Sequence, residues 1–222
     1  MSATKAKISR EEKKDAIALA AAPHVAFDGW GEAALAAGAE DAGFDAKTAK
    51  RLFPEGAVDV IAHFATISDR AMIKAMEDAD VGHMRVRDRV IFGVRARLEF
   101  LGPYREAVRG GLGVLANPLH AALMAKITHT TVDHIWYMAG DRSADFNYYT
   151  KRGLLAAVYG PTVLYWLNDQ SENCEDTWDF LTRRIDDVLK IPPMKAKVMN
   201  ALGELFKGGP LSKFKSDLQM RP

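Results

Sequence analysis

The residues of this chain that can do chemistry are chiefly its six histidines, its single cysteine and its 29 aspartates and glutamates. Their spacing decides what they can do. His129 and His134 stand five apart, which on a helix turns their side chains about 140° from each other. They do not share a face that would hold a metal ion. The sequence contains no His-Glu-x-x-His, and no Glu is followed three residues later by His, the pairing that carboxylate di-iron bundles use. Asp80-x-x-His83 is a lone pair beside an expected helix break. Asp133-His134 beside Trp136 has the partners for acid–base work but no recognisable nucleophile. Cys174 lies among Glu172, Glu175 and Asp176, whose negative potential makes it a poor nucleophile. Phosphate-cradling glycine loops are absent, because the glycines fall mainly at helix ends. No catalytic constellation emerges, and the expectation is a protein that is not an enzyme and needs no cofactor or metal.

The elements that position these residues read as helical almost throughout, since apolar residues recur at three- and four-residue spacing. Ser9 and Glu12 form a capping box for a first helix reaching about Phe27. Trp30 to Ala42 and Ala46 to Phe53 give two shorter helices, the last with Asp45 as its N-cap. Ala57 to Ala79 follows, with Val60, Ile61, Phe64, Ile67, Ala71 and Met72 on one face. Met84 to Leu101 continues through Val86, Val90, Val94 and Leu98. Tyr104 to Leu115, Pro118 to Gly140, Asp145 to Asn168, Asp176 to Ile191 and Met194 to Lys207 complete about ten helices by pattern. No strand-period run occurs. The expected fold is all-α, divided into an N-terminal part (1–56), a helical body (57–191) and a C-terminal element (192–222) set off by Pro192-Pro193.

Composition fits this reading. The 222 residues are 48% hydrophobic and 27% charged, an ordinary globular balance. A chain of this length buries roughly 70% of its unfolded surface and needs no disulfide to fold. A lone cysteine suits a reducing cytosol. No run reaches about 18 consecutive apolar residues, so nothing reads as a membrane span. The N-terminus leads into no signal-type apolar run, and Glu11, Glu12 and Asp15 are too acidic for a transit peptide. The net charge of +1 conceals a partition. Residues 131–187 carry ten acids against five bases, whereas 82–110 carry seven bases against three acids and 195–222 six against two.

Two segments carry more apolar bulk than one helical face holds. Trp136 and Tyr137, then Leu154, Leu155, Val158, Tyr159, Val163, Leu164 and Trp166, load two neighbouring helices that must be buried on several sides or line a cavity. The cavity is expected among these two helices and the one bearing Trp178 and Leu181. Its lining candidates are Trp136, Leu155, Tyr159, Leu164, Trp178 and Leu181. Val198, Met199, Leu202, Leu205 and Phe206 form an apolar face flanked by Lys195 and Lys197, the pattern of an amphipathic helix lying on a membrane surface. A self-association contact is the other use of such a face, so a homodimer stays open.

The first three helices have the spacing of a TetR-type helix-turn-helix, and a transcriptional regulator with a hydrophobic effector is the alternative reading. Nucleic-acid affinity needs a basic surface. Residues 1–56 carry eight bases against nine acids, and the third helix offers only Lys47, Lys50 and Arg51. A helix-turn-helix shape without nucleic-acid binding fits better.

The run from Asp133 through Asp141-Arg-Ser-Ala-Asp145-Phe-Asn-Tyr-Tyr149 to Arg152 closely resembles the ubiquinone-biosynthesis accessory family. So do Asp169-Gln-Ser, Asp176-Thr-Trp to Asp186, Arg51-Leu-Phe-Pro54 with Val58-Asp59, and the Arg85 to Leu98 stretch. The resemblance spans about residues 25 to 190. It implies a TetR-like helical bundle with a degenerate helix-turn-helix, and a pocket for an isoprenoid quinone precursor or phospholipid. It also implies a peripheral membrane contact and docking to the demethoxyubiquinone hydroxylase, without nucleic acid. The family's hydroxylase-contacting motif falls on Asp145, Tyr148 and Tyr149, with Tyr148 replacing the tryptophan usual there. Lacking the long targeting region of mitochondrial members, the chain is expected in a bacterial cytoplasm, peripheral at the inner membrane.

Overall fold

The structure is a computed structural model that describes residues 8–144 and 146–189. Among them every regular element is helical: α1 (Arg10–Ala21), α2 (Val25–Asp28), α3 (Glu32–Asp41), α4 (Ala46–Leu52), α5 (Ala57–Asp78), α6 (Val86–Leu101), α7 (Arg105–Leu115), α8 (Ala121–Met138), α9 (Phe146–Trp166) and α10 (Glu175–Leu189). Short 3-10 turns bridge several of these helices. The described residues up to Ile185 form one compact unit; Asp186 to Leu189, which end α10, belong to a second.

Local chemistry sets the boundaries. The Ser9–Glu12 capping box forms as expected, with Glu12 N donating to Ser9 Oγ at 3.1 Å and Ser9 N to Glu12 Oε2 at 2.7 Å. Asp45 likewise caps α4 by accepting from Thr48 N. The first helix stops short of Phe27, because Pro23 lacks the N–H that would continue the ladder; a 3-10 turn and the short α2 follow. A second departure is Val86, expected on the core face. It is half exposed at the first turn of α6, and the core begins at Val90.

α1 packs on α3, and α4 closes the trio. The contact between α1 and α3 depends on Gly38: a Cβ there would stand 2.4 Å from the backbone nitrogen of Ala21. α5 is the central strut, packed against α1, α6 and α8. Its apolar face is the expected one with Met76 added and Ala71 only half-buried. α8 lies along α9, and Leu98, Ile135, Leu155 and Trp166 fill the core between the later helices.

Gly38→Ala forces backbone against backbone and cannot be relieved by a rotamer change. It is expected to destabilise the fold by about 1–3 kcal/mol or more, visible as a lower melting temperature. An unchanged melting temperature would contradict the close approach of α1 and α3.

Candidate functional site

A cavity of about 340 Å³ opens between α5, α6, α7, α8 and α9, with Trp30 closing one side. Ile61 and Phe64 of α5, Leu101 of α6, Leu112 of α7, Ile127 of α8 and Val163 of α9 give it almost wholly apolar walls. Three lining residues are open to solvent, Pro161, Leu164 at 58% and Met124 at 37%, and they mark its rim. Helices stand apart here because their sequences are thin. α7 runs Gly110-Gly111-Leu-Gly113, so the Trp30 indole lies over the helix backbone, and a Cβ at Gly111 would reach Trp30 Nε1 at 3.4 Å. That nitrogen donates to Ala107 O at 2.7 Å, fixing the ring. In α9 the wall is Gly160-Pro161, where the proline removes one rung of the helical ladder.

The cavity wall also carries a buried polar patch. Arg97 is 5% exposed and Asp69 3%, and Arg97 Nε donates to Asp69 Oδ1 at 2.7 Å. Thr131 Oγ1 donates to the same oxygen at 2.9 Å, and Arg97 Nη1 donates to the Tyr159 hydroxyl at 2.6 Å. Burial alone would raise the Asp69 pKa, but the nearby His134, the charge of Arg97 and the hydrogen bonds from Arg97 and Thr131 outweigh it, so Asp69 stays ionised. His134 Nδ1 stands 3.6 Å from Asp69 Oδ2, too far for a good hydrogen bond but close enough for an ion pair once protonated. Asp69 raises the His134 pKa against the opposing effect of burial. Of the polar groups, Ser68, Arg97, Thr128 and Tyr159 line the cavity.

The lining candidates from sequence divide. Tyr159 and Leu164 line this cavity; Trp136, Leu155, Trp178 and Leu181 do not. Leu155 and Leu181 fill the core. Trp136 Nε1 donates to Lys151 O at 3.0 Å, and Trp178 Nε1 to Asn173 O at 2.7 Å. The wall expected from the Trp178 helix is supplied instead by α5, α7 and Trp30. Periodicity identifies an apolar face but not the helix that will lie against it. Glycines inside α7 and the Gly-Pro step inside α9 were the available signals for the space itself.

The motif between Asp133 and Arg152 knits α8 to α9. Asp141 accepts from Ser143 Oγ, Lys151 Nζ and Arg152 Nη1 at 2.6–2.7 Å. Burial opposes ionisation of Asp141, but these partners together hold its carboxyl well below the usual range. Arg152 also donates to Asp133 at 2.7 Å and stacks its guanidinium 3.7 Å from the Tyr148 ring centroid. Tyr148 is therefore half-buried beneath a cation, while Tyr149 is 70% exposed and meets it edge to face. Tyr149, Val132, Gly153 and Ala156 line a shallow groove between α8 and α9. Asp145 lies outside the described residues, as do Lys195, Lys197, Val198, Met199, Leu202, Leu205 and Phe206.

Other charged residues find definite places. Asp169 caps the turn into α10, accepting from Ser171 N and Oγ and from Thr177 N and Oγ1. Burial opposes its ionisation, but these four donors pull its pKa down to about 2. Glu172, Glu175, Asp176 and Asp179 stay exposed, so the acidic surface of this region lies at the start of α10. Cys174 does not sit in purely negative surroundings: folding brings Arg105 Nη2 to 2.8 Å from its Sγ. Among the described residues no cluster of His, Cys, Asp and Glu could hold a metal, and no helix is long and apolar enough to cross a membrane. Lys47, Lys50 and Arg51 are exposed at i, i+3 and i+4 of α4, with Lys50 paired to Glu32 at 3.2 Å.

A COQ9 family model matches residues 121–192, the segment from α8 to the end of α10 and just beyond. The chain is similar to "Ubiquinone biosynthesis protein COQ9, mitochondrial" of Drosophila melanogaster, 34% identical over 194 residues, covering 84% of this chain and 59% of that protein. With the human protein of the same name it is 32% identical over 208 residues, covering 90% of this chain and 65% of the relative. It thus spans about three-fifths to two-thirds of their lengths. Its fold resembles that of a TetR transcriptional regulator from Nitrosomonas europaea, with a TM-score of 0.64 at 20% identity, covering 79% of this chain and 97% of the other. The all-α, TetR-like expectation holds.

The raised pKa of His134 gives stability a pH dependence. Its protonated form is favoured by folding, so its contribution is fully present below its unfolded pKa and is lost as pH rises through the higher folded value. With His134 partly exposed and 3.6 Å from Asp69, the pair is worth about 1 kcal/mol or less. Melting temperatures of the wild type and His134→Ala should therefore differ more at about pH 5.5 than at about pH 8.5. A difference that grows toward high pH would contradict the assigned pairing with Asp69.

Proposed function

The chain belongs to the COQ9 family, and from that premise we propose that it is a non-enzymatic, lipid-binding accessory protein of ubiquinone biosynthesis. It takes an isoprenoid quinone precursor from the membrane and presents it to the demethoxyubiquinone hydroxylase. The observation that carries this reading is the apolar cavity with a solvent-open rim at Leu164 and Met124. Burying apolar area in a preformed pocket is the main source of affinity for such ligands, at about 25 cal/mol per Å². A phospholipid is the other ligand the apolar walls would accept.

Partner and membrane contacts complete the reading. Tyr149 is an exposed aromatic that meets Tyr148 edge to face, and Tyr148 in turn lies under the Arg152 guanidinium; such an aromatic anchor concentrates interface energy. With Asp145 and Tyr148 it forms the proposed hydroxylase contact. The basic, amphipathic segment with Lys195, Lys197, Val198, Met199, Leu202, Leu205 and Phe206 supplies the proposed membrane contact, peripheral at the inner membrane of a bacterial cell. Among the described residues no helix offers a membrane-spanning alternative.

The second reading, a regulator with a hydrophobic effector, draws on the exposed Lys47, Lys50 and Arg51. Against it stand the net negative charge of residues 1–56, eight bases to nine acids, and the pairing of Lys50 with Glu32. A sequence-specific DNA shift with steep salt dependence would favour it.

Tyr149→Ala is expected to reduce hydroxylase co-purification by about tenfold or more while leaving extracted lipid content unchanged. Retained co-purification would remove Tyr149 from the contact; loss of lipid as well would indicate misfolding. Truncation after Ile191 is expected to abolish sedimentation with anionic liposomes and to leave helicity per residue and cooperative melting intact. Undiminished liposome binding would discard the C-terminal contact.

A further inference from the structure

Resting on the lipid-holding role proposed above, the buried polar patch of the cavity wall says which part of the ligand it holds. Arg97 has Nε committed to Asp69 and Nη1 to the Tyr159 hydroxyl, and Nη2 makes no hydrogen bond with any described residue. The Tyr159 hydroxyl accepts from Arg97, which leaves its own proton without an acceptor among the described residues. Both side chains are more than nine-tenths buried, and both line the cavity. Two donors without acceptors, on the buried wall of a mainly apolar space, are costly unless a ligand oxygen or a water meets them. Burial raises the Tyr159 pKa against the lowering effect of Arg97, so the phenol keeps its proton and remains a donor.

The charge of the site defines the acceptor. Asp69 lies 2.7 Å from Arg97 Nε and already neutralises the guanidinium. An incoming carboxylate or phosphate would lose its hydration and find that cation already paired. A neutral oxygen loses far less on entry. We propose that the cavity seats a ligand by a neutral acceptor oxygen, a quinone or ester carbonyl, against Arg97 and Tyr159, with the apolar chain running out past Met124 and Leu164. Tyr159 and Arg97 then act as specificity determinants that reject plain hydrocarbon and anionic lipid alike. For a quinone precursor this places the ring against the buried wall, so presenting it to an enzyme means surrendering it from the cavity.

The test uses the full chain and four probes of one chain length: decyl-benzoquinone, decylbenzene, decanoate and didecanoylglycerol. Affinities are read from displacement of a fluorescent apolar dye. Decyl-benzoquinone or didecanoylglycerol should bind about tenfold or more tightly than decylbenzene and decanoate, and the tighter of the two identifies the source of the carbonyl. Tyr159→Phe should weaken binding of the carbonyl ligand by about tenfold, the size of one well-made hydrogen bond. The same variant should leave decylbenzene unaffected, which separates a lost hydrogen bond from a distorted cavity. Equal binding of decylbenzene and both carbonyl probes to the wild type, or tightest binding of decanoate, would overturn the acceptor site while leaving the lipid-holding role standing. Failure of every probe to displace the dye would overturn the role and the site together.

Discussion

The pair between Asp69 and Arg97 is the constraint around which the later helices are arranged. It joins the middle of α5 to α6, and through Thr131 and Tyr159 it reaches α8 and α9. A buried ion pair is a weak source of net stability, because desolvating both charges offsets most of their attraction. Its force is conditional: with both partners present the helices have one satisfied arrangement, and with either missing a buried charge is stranded at a cost of about 3–5 kcal/mol. The four helices must therefore meet at this point. Above it, Trp30 spans to α7, whose glycines let the indole lie over the backbone, and the space between becomes the cavity. The polar patch and the apolar walls are consequences of one packing arrangement.

Much of the architecture was legible in the sequence because it is local. The capping box at Ser9 and Glu12, the N-cap at Asp45 and the apolar face of α5 all follow from residues within a few turns of one another. Pro23 was a local signal too; it shortened the first helix as proline does. The cavity was harder. Tyr159 and Leu164 were identifiable as apolar residues in excess of one face, but Trp30, Ile61 and Leu112 join them only through long-range packing. Asp69 and Arg97 are 28 residues apart, and nothing in a helical period distinguishes a buried ion pair from two surface charges.

The conspicuous acidic motifs turn out to have internal partners. Asp141 holds Lys151 and Arg152, and Asp169 gathers Ser171 and Thr177 at the entry to α10. Both carboxyls are depressed below their usual pKa because several donors converge on each. These residues set the relation of α8, α9 and α10 before they touch any partner. What they leave outside is Tyr149, presented on a frame that the ion pairs have made rigid. A TetR-like bundle thus carries a cavity in its body and an exposed aromatic, Tyr149, on its flank. Its N-terminal trio keeps the helix-turn-helix spacing with a net charge of −1 over residues 1–56, eight bases against nine acids.

Native mass spectrometry of the protein purified gently from a quinone-producing host tests most directly whether the cavity holds lipid. A lipid-filled cavity gives a mass increment that survives mild activation and is recovered by extraction as a quinone, a quinone precursor or a phospholipid. A protein that remains bare under the gentlest conditions, and stays bare after incubation with quinone-bearing vesicles, would contradict it.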